Sequence, residues 1–501
     1  MIESSSSNSK QAAWVAIGSF FSFLVGIISP MILSRFFDKA DYGTYKQVMY
    51  VYNTLLSIFT LGLPKAYAYF LPKYSINYSQ DIISKITRIF FILGLFFSLF
   101  LLIGAGPISS LMKNPNLKNA LIVFSPTPFL LLPTMGLDAI YASFRKTKYL
   151  AYYTIATRIL TILFIVLPVV VFSGNYIYAI IGFDIASLIT FFLALYLKSW
   201  PIKNVKHERS DLVYKDIMKF SLPLLYASVW GIIISSANQF FISRYFGNEI
   251  FAEFSNGFME NPLAAMMLGS ISAILLPVIS GMDKGNKLSN DALNVWNSAL
   301  LKSAKLLFPM LIFSAFFSKI IMTCMYGDLY EESSIYFVIK NISCLSQIIP
   351  FYPIMLAINK TKTYANIHMV VAFIIIFIEY VVCINFNSAI YIAVVSELCQ
   401  LLKIWLMMRV ISKYAQKKII ELVPPKPMFL LIFIAILASI PPFLLTTYVD
   451  FNKFLALLLS LIIFLVDYYI LCWIFKVTYK DIIGSFLSNK PIFAPILRIL
   501  P

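Results

Sequence analysis

Leu33-Ser34-Arg35-Phe36-Phe37 closes the first long apolar run of this 501-residue chain, and Ile242-Ser243-Arg244-Tyr245-Phe246 closes the seventh. The echo continues past the arginines. Tyr42-Gly43-Thr44-Tyr45 stands opposite Phe251-Ala252-Glu253-Phe254 at the same offset, and Tyr69-Phe70-Leu71-Pro72 meets Ile274-Leu275-Leu276-Pro277 after a small shift. An arginine at the same depth in two related halves implies a duplicated membrane fold. Repeats of this kind recur among secondary transporters, where substrate sits between the repeats and two lobes rock around it.

Composition supports the membrane reading. The chain is 60% hydrophobic and 13% charged, whereas soluble domains average roughly 25% charged residues. Apolar runs of about 20 residues span a bilayer as helices; about fourteen such runs are expected here, from 12 to 34 through 454 to 475. The expected fold is an all-α integral membrane protein with two six-helix lobes in parallel repeat and two C-terminal helices. No soluble domain is expected. The net charge of +17 does not imply nucleic acid, because most Lys and Arg fall in alternate loops, as the positive-inside rule requires. Both termini are then cytoplasmic, and the basic loops face membrane lipids. Five cysteines lie in separate spans without metal or redox spacing. No metal site and no cofactor are expected, and His207 and His368 suggest none.

The longest basic connection, Lys198 to Lys219, separates the first six spans from the next six, and its second part, Asp211 to Phe220, is expected as an interfacial helix. The domains so read are 1–210, 211–412 and an accessory segment 413–501 with a cytoplasmic tail. Even span numbers per lobe give parallel repeats about an axis along the membrane normal. Gly18, Gly26 and Pro30 make the first helix a candidate hinge.

Ile32-Leu33-Ser34-Arg35-Phe36-Phe37-Asp38-Lys39-Ala40-Asp41-Tyr42-Gly43 resembles the opening motif of Wzx-like polysaccharide and O-antigen flippases. Lys219-Phe220-Ser221-Leu222-Pro223 is similar to that family's lead-in to its seventh helix. One departure is Asp38-Lys39 where many relatives carry glycine; Gly247 supplies that glycine in the second copy. The family belongs to the multidrug, oligosaccharidyl-lipid and polysaccharide (MOP) exporter superfamily. The resemblance implies two lobes around a central cavity and translocation of a lipid-linked oligosaccharide. It suggests association with polysaccharide polymerase machinery and a bacterial inner-membrane location.

Ionisable residues inside a bilayer cost on the order of 3 kcal/mol and usually face a cavity or a partner. Lys46 on the second span and Arg158 on the fifth suit a lipid pyrophosphate, Arg by its planar fork of donors. Their bland alternative is snorkelling or pairing with Asp184. Arg35 and Arg244, at the outer ends of the first and seventh helices, are substrate contacts or interface anchors bridged to Asp41 or Glu249. Asn256 and Asn261 offer hydrogen bonds to sugar hydroxyls; Tyr226 and Trp230 offer stacking. Glu253, Glu260, Glu397 and Asp184 are candidates for H+ or Na+ coupling. Glu253 and Glu260, seven residues apart, are expected on one helical face. Glu379 and Asp467 read as structural.

The expectation is a flippase, not an enzyme, moving an undecaprenyl-pyrophosphate-linked repeat unit outward. A membrane polymerase or ligase is the enzymatic alternative, but the external connections are short and show no catalytic constellation. A cation-coupled drug exporter is the other alternative; it calls for an acid in the first helix, and residues 12 to 34 contain none.

Overall fold

The computed structural model describes residues 8–172, 174–282, 288–449, 452–480 and 482. The tail beyond 482 lies outside the described residues. Long apolar stretches leave the backbone no partner but itself in lipid, and the described chain is accordingly helical, with no strand among the described residues. The helices are α1 Asn8–Phe36, α2 Lys39–Phe59, α3 Pro64–Phe70, α4 Ser79–Leu111, α5 Asn116–Phe124, α6 Thr127–Leu131, α7 Leu137–Ser143, α8 Thr147–Phe172 and α9 Tyr176–Ser199. After the basic connection come α10 Tyr214–Gly257, α11 Pro262–Met282, α12 Asn290–Phe316, α13 Ser318–Tyr326, α14 Ser333–Gln347, α15 Phe351–Ala357, α16 Thr361–Asn385 and α17 Ala389–Ala415. The short α18 Ile419–Leu422 leads to α19 Pro425–Tyr448 and α20 Lys453–Ile474. This is a multi-pass membrane protein. Among the described residues twelve helices are long and apolar enough to cross a bilayer, and thirteen if the pair 214–226 and 228–257, bent by 42°, is one span.

The expected eighth span, 254 to 280, is not one helix. It is interrupted between Gly257 and Pro262. Proline has no N–H to give and suits the first position of a helix. The second span breaks the same way: Leu61 and Gly62 have φ of 50° and 71°, and the chain restarts at Pro64. The fourth and tenth spans are broken as well, the fourth at Met135-Gly136, where Gly136 has φ 84°, and the tenth between Gln347 and Phe351. Breaks in spans 2 and 4 thus recur in spans 8 and 10.

The turns after the repeated arginines differ in construction. Asp38 caps α2 by accepting from Asp41 N at 2.7 Å. Gly247, three residues after Arg244 as Asp38 is after Arg35, takes φ 85° and ψ 177° and ends the seventh helix inside α10. The expected interfacial helix joins the seventh span directly. Its Leu212 and Ile217 are buried, whereas Val213 is exposed.

The chain forms two compact units, Met1–Ala252 and Glu253–Pro501. The seventh helix groups with the first. In the second, α19 and α20 pack on α12 and α13 through Phe313, Phe317, Ala435, Ala438 and Phe464.

Candidate functional site

In the first unit a cavity of about 780 Å³ opens between α1, α2, α8, α9 and the Met135–Asp138 turn. Its walls follow from helical spacing, since residues three and four apart share a face. From α8 come Thr154, Thr157, Arg158 and Thr161; from α1, Ser22, Gly26 and Ser29; from α2, Lys46, Met49 and Asn53. The opposite face of α8, with Leu163 and Leu167, is apolar and exposed, as a lipid-facing surface requires.

Arg158 and Lys46 therefore share one cavity. The Arg158 Nε donates to Ser22 Oγ at 3.3 Å, and the Lys46 ammonium lies 5.3 Å from the Tyr42 ring centroid. Among the described residues neither is bridged to a carboxylate. The alternative pairing with Asp184 is not made: Asp184 accepts a hydrogen bond from Thr127 Oγ1 and does not line the cavity. The acid in the lining is Asp138, in the first turn of α7, which the sequence reading passed over. Two cations, one exposed acid and a ring of hydroxyls suit an anionic, hydroxyl-rich ligand.

Arg35 and Arg244 do not line this cavity. Arg35 is exposed at the end of α1. Arg244 donates to the Leu111 carbonyl at 2.6 Å. The motif around them builds a buried polar lock. Gln47 Nε2 donates to Ser243 Oγ at 2.7 Å, and Asn114 Nδ2 donates to Gln47 Oε1 at 2.6 Å and to Thr44 Oγ1 at 2.9 Å. Asn248 Nδ2 donates to the Ala40 carbonyl at 3.0 Å. Gly43 permits this: a Cβ there would stand 2.0 Å from the Asn248 carbonyl oxygen. Tyr226 and Trp230 meet edge to face at 6.2 Å, and neither lines this cavity.

In the second unit Glu397 is buried and fully engaged. Its Oε1 accepts from Lys340 Nζ at 2.9 Å, and its Oε2 from Ser343 Oγ and, at 2.8 Å, from Gln347 Nε2. Sequence reasoning missed Lys340, although Lys340, Ser343 and Gln347 are spaced to share one face of α14. Glu379, fully buried, accepts from Ser396 Oγ at 2.5 Å. Glu253 and Glu260 do not share a helix face. The helix carrying Glu253 ends at Gly257, and Glu260 is exposed in the link to α11. Helix 248–257 stops where Gly257 lies so close to α14 that a Cβ would stand 2.0 Å from the Ser333 carbonyl oxygen. Asn256 is fully buried and Asn261 half-buried, and neither lines a described cavity. Among the described residues no cluster has metal-binding spacing.

The described fold is thus polytopic and helical, with broken spans and a basic, hydroxyl-lined cavity in its first unit. The sequence model of the family described as "Polysaccharide biosynthesis protein" matches residues 32–335, and the chain belongs to that family. Its fold is similar to that of the lipid II flippase MurJ in an inward closed conformation, at 18% identity and a TM-score of 0.70 over 93% of this chain and 99% of that one. It is also similar to an inward-facing multidrug resistance MATE transporter of the MOP superfamily, at 13% identity and a TM-score of 0.60 over 80% and 98%. A MOP superfamily transporter from Pyrococcus furiosus matches at 12% identity and a TM-score of 0.52 over 81% and 95%. A search of curated proteins finds no match.

Proposed function

We propose that this chain is a flippase that carries an undecaprenyl-pyrophosphate-linked oligosaccharide repeat unit from the cytoplasmic to the outer leaflet by alternating access. The observation that carries the reading is the first-unit cavity, where Arg158 and Lys46 stand among hydroxyls and, among the described residues, without carboxylate partners. Arg158 matches phosphate oxygens with its fork, Lys46 adds a point charge, and Ser and Thr hydroxyls exchange hydrogen bonds with sugar hydroxyls. The prenyl tail stays in lipid, so no polar sugar crosses hydrocarbon. Membership of a polysaccharide biosynthesis family supports the same reading. The charge asymmetry of the loops favours cytoplasmic termini in a bacterial inner membrane.

A cation-coupled drug exporter is the second reading, favoured by the MATE-like fold. Its cationic cargo would meet Arg158 and Lys46 as like charges, which argues against it. Reconstituted vesicles decide between the two. The flippase reading expects exposure of a labelled lipid-linked sugar on the far leaflet without ethidium efflux; ethidium efflux alone would overturn it. Imposed pH or sodium gradients on the same vesicles test coupling through Glu253 and Glu260, for which unchanged gradient dependence in the E253Q/E260Q double variant removes the pair.

A further inference from the structure

The second unit holds a smaller pocket, about 270 Å³, between α11, α14, α15, α16 and α17. Lys403 reaches it from α17. Among the described residues its ammonium makes no hydrogen bond and no ion pair. The neighbouring cation, Lys340, already holds Glu397 at 2.9 Å; Glu397 and Glu260 act on Lys403 only through longer-range charge. A lysine kept inside a membrane span without a direct partner marks a ligand path.

The rest of the wall defines that ligand. His368 Nδ1 lies 2.9 Å from the Tyr364 carbonyl, which only accepts, so Nδ1 carries the proton and the neutral ring keeps a lone pair on Nε2 for a ligand hydroxyl. Tyr352 and Tyr364 stand edge to face at 5.7 Å, and Tyr364 packs on His368 at 4.3 Å. Aromatic faces of this kind take the C–H face of a pyranose. The Gln347 amide nitrogen is spent on Ser343 and Glu397, leaving its oxygen to accept. The volume falls below the range of about 300–1,000 Å³ for drug-sized pockets, enough for one ring and not for a chain.

The position is also built into the repeat. Lys403 stands fourteen residues after the first residue of α17, and Thr190, in the lining of the first-unit cavity, stands fourteen after the first residue of α9. We propose that this pocket binds a single pyranose bearing one anionic group. Given the flippase reading on which this step rests, the translocated oligosaccharide contains an acidic sugar.

Saturation-transfer NMR on the full chain in detergent tests this with glucuronic acid, glucose 1-phosphate, glucose and glycerol 1-phosphate as probes. The two charged sugars should bind at least about tenfold tighter than glucose and than glycerol 1-phosphate, the order of one charge-assisted hydrogen bond. Measured in an Arg158→Ala background, which weakens the anion-binding cavity of the first unit, Lys403→Met should abolish the preference for charged sugars. Tyr352→Ala, at a half-exposed position, should weaken all three sugars and serves should Lys403→Met fail to fold. Equal binding of glucose and glucuronic acid would overturn the proposal. Binding of glycerol 1-phosphate as tight as glucose 1-phosphate would make this a lipid-phosphate site and also overturn it. A preference unchanged by Lys403→Met in the Arg158→Ala background would do the same. Arg158→Ala, in the other unit, should leave the Lys403-dependent preference in place. Probe preference without lipid-linked sugar translocation sinks the flippase reading alone; translocation without probe preference sinks the pocket alone.

Discussion

Asp184 stands eight residues after the first residue of α9, and Glu397 eight after the first residue of α17. Each accepts a hydroxyl hydrogen bond from the fourth span of its half, Asp184 from Thr127 and Glu397 from Ser343. The difference lies in what else comes. Glu397 also holds Lys340 in a buried ion pair, whereas among the described residues Asp184 pairs with no cation, and its unit leaves Arg158 and Lys46 to the cavity. A duplicated scaffold can thus spend a cation on itself in one half and keep cations for a ligand in the other. The carboxylate position recurs in the two halves; the charge balance around it does not.

The largest effect should come from breaking the engaged pair. Lys340→Met strands Glu397 in the interior, and such a break costs about 3–5 kcal/mol. Unfolding in mixed micelles should show that loss, and Lys340→Met with Glu397→Gln should recover most of it. If the single variant is as stable as the parent, the two halves do not differ as described. Arg158→Ala comes next: losing a charge-assisted contact costs about 1.5–3 kcal/mol. Lipid-linked sugar translocation in vesicles should fall accordingly at unchanged membrane abundance, and Arg158→Lys should retain part of the activity, since the charge survives without the fork. Thr127→Val tests the first half's carboxylate. It removes the hydroxyl that Asp184 accepts from, at a cost of about 1–3 kcal/mol, read by the same micelle unfolding. Smallest of all, Asp328→Ala removes the exposed bridge to Lys453 and should shift stability by no more than about 1 kcal/mol.

Much of the site was visible in the residues. Arg158 and Lys46 stand out because a cation within an apolar run demands an explanation, and both line the cavity. The Arg35 and Arg244 segments were visible as a repeat, but their neighbours Thr44, Gln47 and Ser243 make a buried lock, which no local spacing could reveal because its partners lie 67 to 208 residues apart. Glu253 and Glu260 misled for a local reason: hydropathy runs through Gly257, while the helix does not.

By itself the sequence determined that this chain crosses a membrane many times, that it carries a repeat, and which charges lie inside its spans. Those properties follow from transfer energies and periodicity, which are sums over neighbouring residues. Only the tertiary structure decided which of those charges pair with one another and which line a cavity. Lys340 and Lys403 look alike along the chain; one is bound to Glu397, and the other faces a pocket, because a partner is a matter of distance between helices and not of order along them.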